Sequence, residues 1–181
     1  MVLASHPSLP VHKVKELIDY AKANPGKIDF GSSGAASNGR LATERFMRQA
    51  GITMNHIPYK GMGPIIQALL TGEVQIMLSS TTPQLNEFIK AGKINLLGVA
   101  SLEPTPLVPG AEPIARTLQG FQSEVWYGFL APRGTPREVV ARIQEAALKA
   151  LAEEGSVSAS SVTEAIKKYG VDPEKPNPVS V

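Results

Sequence analysis

Apolar residues recur along the first hundred positions in two alternating rhythms. Val11, Val14, Leu17, Ile18 and Ala21 stand at helical spacing, and this stripe stops at Asn24-Pro25-Gly26, a strong helix terminator. A short apolar run over 28–30 then predicts a strand, and helical spacing returns with Leu41, Ala42, Phe46 and Met47 before Gly51. The alternation continues with strands predicted over 53–59, 74–78 and 94–100. Between them lie a helix carrying Ile65, Ile66, Leu69 and Leu70, closed by Gly72, and a helix carrying Leu85, Phe88 and Ile89, closed by Gly92. Residues 2–4 add a short strand at the start. Helix-length connections between successive strands argue for a parallel sheet with helices packed on its faces.

Beyond residue 100 the pattern loosens. Four prolines within 103–113 mark a surface loop, a short helix is expected over 114–118, and 122–130 reads as a strand containing Trp126 and Tyr127. Thr135 and Pro136 then suit the N-cap and first position of a helix that turns Val139, Val140, Ile143, Ala147 and Leu151 inward. A short last helix is expected over 162–169, before a proline-rich tail.

Composition narrows the function classes. In 181 residues, 43% are hydrophobic, enough for a core, and 6% are aromatic. The 18 basic and 16 acidic residues are scattered along the chain, without the basic stripe and interleaved aromatics of a nucleic-acid binder. Without cysteine there are no disulfides, zinc–thiolate sites or thiol nucleophiles. No apolar run approaches the roughly 18 residues of a membrane span. The opening MVLASHPSLP lacks the pattern of a signal peptide, so a native start at Met1 would place the chain in the cytoplasm.

The chemistry concentrates where strands end. Open parallel sheets bind ligands beyond the carboxyl ends of their strands. Three turns at that edge are rich in small or polar residues: Gly31 to Asn38, Tyr59 to Gly61, and Ser79 to Thr82. In the first, GSSGAASN leads from a strand into a helix, and such a turn offers backbone N–H groups and a positive helix end to an anion. A carboxylate is the expected guest. The turn is neither a P-loop nor a dinucleotide fingerprint, so no nucleotide or other cofactor is expected. Gly31-Ser32-Ser33-Gly34-Ala35 approaches a nucleophile elbow, which keeps a serine hydrolase, with Ser33 as nucleophile, as an alternative. His6, His12 and His56 have no metal-site spacing and are read as surface or structural residues, and no metal is expected. Arg40, on the first turn of a helix, is placed either to pair with ligand or another lobe, or to be solvated.

These segments, FGSSGAASNGRLATERF, HIPYKG, LLTGEVQIMLSS, IKAGKINLLGVAS and WYGFLAPRGTP, resemble in order and spacing the Bug-type receptors. Those are the substrate-binding proteins of tripartite tricarboxylate transporters. The resemblance implies a type II periplasmic binding fold: an α/β lobe with a parallel-rich sheet flanked by helices, plus part of a second lobe. It divides the chain into 1–124, the second lobe with its crossover strand, and 125–181, the hinge return and a remnant of the first lobe. Carried onto this chain, it implies ligand contacts at Ser32, Ser33, Gly34, Ala35, Ala36 and Ser37, and a second cleft-facing segment at Ser79, Ser80 and Thr81. Tyr59 and Lys60 fall in its PYKG motif. It further implies a small carboxylate as ligand, membrane transporter subunits as partners, a periplasmic location, and no enzymatic activity. A homodimer through apolar surface near 125–129 is a further expectation. A cytoplasmic ligand-sensing module on the same lobe is the remaining alternative.

Overall fold

The computed structural model describes residues 1–106, 108–125 and 130–153, the last three by backbone alone. Trp126, Tyr127 and the segment expected as a last helix lie outside the described residues. The chain divides into two compact units, Met1–Trp126 and Tyr127–Val181.

The first unit contains β1 (Val2–Ser5), α1 (Val14–Ala23), β2 (Asp29–Ser32), α2 (Asn38–Ala50) and β3 (Asn55–Pro58). It continues with α3 (Met62–Thr71), β4 (Ile76–Ser79), α4 (Pro83–Lys90) and β5 (Asn95–Val99). The strands form one sheet in the order β3-β2-β4-β1-β5. β2 pairs in parallel with both β3 and β4, whereas β1 pairs antiparallel with both β4 and β5. The sheet is therefore mixed, the parallel-rich arrangement expected, with β1 as its one reversed strand. β2 through β5 share one direction, and reversed β1 is inserted between β4 and β5. Val2 consequently lies opposite Ser79 and Val99, at the carboxyl ends of its neighbours.

Side-chain alternation makes the sheet the middle of three layers. Leu3, Phe30, Ile76 and Leu78 face one core with Leu17 and Ile18 of α1 and Phe46 and Met47 of α2. Val2, Ala4, Met77 and Val99 face the other, with Ile65, Ile66 and Leu69 of α3 and Leu85 of α4. A strand buried on both faces reads as a continuous apolar run, as β1 and β4 do. β3 is one of the two edge strands and ends at Pro58, whose missing N–H suits an edge.

Gly51 and Gly72 close α2 and α3 in the left-handed conformation, as the sequence suggests for Gly72. The expected helix at 114–118 is a single 3-10 turn, Ile114–Arg116. Residues 122–125 are not a strand, although Ser123 donates its N–H to the Ala100 carbonyl at 2.8 Å.

In the second unit the described element is α5 (Arg137–Glu153). Thr135 does not cap it: its hydroxyl donates to the Pro132 carbonyl at 2.8 Å, and the Pro136 carbonyl takes the Val140 N–H. On the face expected inward, Val139 and Ile143 are exposed, whereas Val140 and Ala147 are half-buried. Helical periodicity identifies an apolar face; it does not supply what covers it.

Candidate functional site

Because β2 to β5 run one way, the turns after β2, β3 and β4 gather on one edge of the sheet. In the turn after β2, Gly34 sits at φ +108°, a conformation side chains beyond glycine rarely adopt. Its carbonyl accepts the Ser37 hydroxyl at 2.9 Å, the Ser37 N–H at 3.2 Å and the Ser32 hydroxyl at 3.2 Å. Ser37 also caps α2, accepting the Arg40 N–H at 3.3 Å. The Ser32 carbonyl takes the Tyr59 N–H at 2.8 Å, so the N–H on the other side of that trans peptide, from Ser33, points away from β3. Among the described residues, no hydrogen bond engages the N–H groups of Ser33, Gly34, Ala35 or Ala36. Ser33, Ala35 and Ala36 are exposed, whereas Ser32 is 1% exposed and supports the turn from below.

The turn after β4 is brought alongside. α2 begins so close to the end of β4 that a Cβ on Gly39 would sit 3.1 Å from the Leu78 carbonyl oxygen and 3.6 Å from Ser79 Oγ. Ser79 and Ser80 are half-buried there, and neither hydroxyl hydrogen-bonds to another described residue. The Thr81 hydroxyl donates to Asn86 Oδ1 at 2.6 Å, and Thr82 caps α4. Thr81 also borders a cavity of about 250 Å³ walled by Val2, Val99 and Val108, with Ser101 and Glu124 at its rim.

The PYKG residues are disposed differently. The Tyr59 hydroxyl donates to Glu73 at 2.8 Å, and burial followed by this bond pushes its pKa up to about 12. That hydroxyl is thus committed within the lobe. Lys60 is exposed at the same edge of the sheet. Arg40 folds back, 3.5 Å from the Ala35 carbonyl and 3.5 Å from Glu44.

His56 is the group the sequence reading undervalued. Its Nε2 lies 2.7 Å from Ser32 Oγ and its ring packs on Phe30 at 5.1 Å. Burial, and next the Arg40 charge, hold its pKa below the usual 6.5. The signal is the parallel register that sets His56 opposite Phe30, which no single segment of sequence displays. The same geometry removes the hydrolase alternative. The imidazole meets buried Ser32, while exposed Ser33 bonds to no base among the described residues.

Comparison with known proteins agrees with this architecture. Residues 1–179 match the profile of the tripartite tricarboxylate transporter family receptor, TctC. A Pseudomonas sp. strain P51 protein from the tcbD-tcbE intergenic region is 36% identical over 160 residues, covering 87% of this chain and 46% of that protein. BugT of Bordetella pertussis is 29% identical over 174 residues, covering 96% of this chain and 51% of BugT. The chain thus spans about half the length of these relatives. Among solved structures, an R. palustris protein with adipate superposes with a TM-score of 0.76 at 31% identity, over 93% of this chain and 55% of that one. MatC from Rhodopseudomonas palustris with bound malate gives 0.73 at 28% identity, over 83% and 51%. A separate likeness, 67% over 36 residues, covers 4% of the pyruvate dehydrogenase E1 component of Cupriavidus necator, too little to argue for that enzyme's activity. No helix among the described residues is long and apolar enough to cross a membrane. By its profile match, motif order and fold, the chain belongs to the tripartite tricarboxylate transporter receptor family, a family of solute-binding proteins rather than enzymes.

Proposed function

We propose that this chain is the carboxylate-gripping lobe of a periplasmic receptor that delivers a small organic acid to a tripartite tricarboxylate-type transporter. The observation that carries the reading is the turn after β2, where four successive N–H groups are unengaged at the positive end of α2. A carboxylate oxygen accepts such donors with charge assistance, and the serine hydroxyls that shape the turn hold it in place. Ser79, Ser80 and Thr81 supply the neighbouring wall, Lys60 adds a positive charge at the edge, and Tyr59 supports β2 through its backbone. No metal or cofactor enters this scheme. Binding favours closure of a cleft against the other lobe, and wrong ligands leave buried donors without partners.

Two related proteins of known structure carry adipate and malate, both dicarboxylates, which supports this ligand class. The reading is tested by thermal melts of this chain with acetate, malate, adipate and citrate. A ligand that binds only the folded state raises the midpoint. A selective rise with one or more acids is expected; a cooperative melt unmoved by every acid would overturn carboxylate binding by this lobe. Sedimentation of the same sample checks for the homodimer.

A further inference from the structure

Behind the turn after β2 lies a chain of polar groups that a ligand would not touch. It begins at His56 on the edge strand and passes through Ser32 Oγ at 2.7 Å to the Gly34 carbonyl at 3.2 Å. A serine hydroxyl has one proton to donate. With that proton on the Gly34 oxygen, the short approach of His56 is made by an Nε2–H donating to Ser32. The Ser37 N–H reaches the same carbonyl at 3.2 Å. The Ser37 hydroxyl lies 2.9 Å from that carbonyl and 3.2 Å from Ser32 Oγ, and it donates its one proton to the nearer carbonyl when Ser32 is already accepting from His56. These donors draw the carbonyl toward Ser32 and Ser37. The Gly34–Ala35 peptide is trans, and its carbonyl and N–H point in opposite directions. Holding the carbonyl in therefore holds the exposed Ala35 N–H out.

We infer that His56 is a positioning residue for anion capture: acting through Ser32, it turns the Gly34–Ala35 peptide so that the Ala35 N–H faces the ligand. The inference rests on the reading that this turn grips a carboxylate. It also predicts a pH response. Protonated His56 donates obligatorily, committing the Ser32 proton to Gly34. The charged groups acting on the imidazole are Arg40 and Glu44 from α2, while β2 presents Phe30. An anion on the turn adds a favourable charge, so the complex takes up a proton and affinity strengthens as pH falls below about 6.5.

Two arms of one NMR experiment test this. Without ligand, the Ala35 amide resonance of the full chain is followed from pH 8 to 5 alongside the His56 ring signals. The Ala35 shift should track the His56 titration in the native chain and become uncoupled in Ser32→Ala, where His56 still titrates. An Ala35 amide indifferent to His56 in the native chain overturns the inference, whatever binds.

The second arm titrates adipate. His56→Leu should weaken the response about tenfold, as loss of an orienting hydrogen bond to a charge-binding group would. His56→Gln, which keeps an N–H donor, should stay within about threefold of native and lose the pH dependence. Equal affinity in the native chain and His56→Leu, both folded, would overturn the positioning role and leave the carboxylate reading intact. A native chain that no carboxylate perturbs would overturn that reading, with the ligand-free arm still deciding how the peptide is oriented.

Discussion

The turns after β2 and β4 look alike in sequence, each a run of small hydroxyl residues between a strand and a helix, yet they use those hydroxyls differently. After β2, Ser32 and Ser37 both reach the Gly34 carbonyl and fix one peptide plane. After β4, Thr81 bonds Asn86 and Thr82 caps Leu85, so the hydroxyls organise the start of α4. Ser37 caps a helix as well, and so has two tasks where Thr82 has one. The lesson is that a hydroxyl-rich turn fixes its own backbone only when its side chains bond back to the turn itself. A glycine at positive φ makes that return possible, and of these two turns the one after β2 has it.

The comparison breaks most sharply at Gly34. Replacement by valine cannot hold φ +108°, so the clamped peptide should rotate away. Adipate affinity, measured by calorimetry, should fall on the order of a hundredfold, while Thr81→Val changes it by less than about threefold. Equal losses would mean the turns are interchangeable. The caps sharpen the contrast. Ser37→Ala and Thr82→Ala should each lower unfolding free energy in urea by about 1 kcal/mol, but only Ser37→Ala should also weaken binding.

Acid provides a smaller test. The folded pKa of His56 lies below its ordinary 6.5, so its contribution to stability is complete above that value and lost as pH falls through the folded pKa. Urea midpoints should decline below about pH 6.5 in the native chain and less so in His56→Gln. Smallest of all, Lys60→Ala should cost at most about threefold in affinity, an effect that fades with added salt because the charge is exposed.

Much of this lobe is legible in the chain. The apolar stripes of Val14, Leu17 and Ile18 and of Ile65, Ile66 and Leu69 locate two helices and their buried faces, and Gly72 marks where one ends. The direction of β1 is not legible, because four residues buried on both faces read the same whichever way the strand runs. The Ser32–His56 bond was hidden for a related reason. It depends on the register of β2 against β3 and joins side chains 24 residues apart, so His56 alone resembles any structural histidine. Thr135 followed by proline looked like a cap, but the helix starts at Arg137, one residue later than the sequence suggests, and the Thr135 hydroxyl donates back to the Pro132 carbonyl. A shift of one residue at a helix start is invisible until the backbone is folded.

The shared direction of β2 to β5 has a practical consequence for anyone who needs to attach this lobe to something else. Its strands are four or five residues long, roughly 13–17 Å at the usual rise per residue. The connection from α4 to β5, with Lys90 and Lys93, therefore lies a full strand length from the edge proposed to grip the anion, beyond the roughly 8 Å Debye length of physiological salt. Those amines are natural anchor points for a sensor surface or a fluorophore, provided Lys60 at the opposite edge is first replaced. A lobe tethered there would present its turns outward, ready to meet either a free acid or the matching half of a receptor.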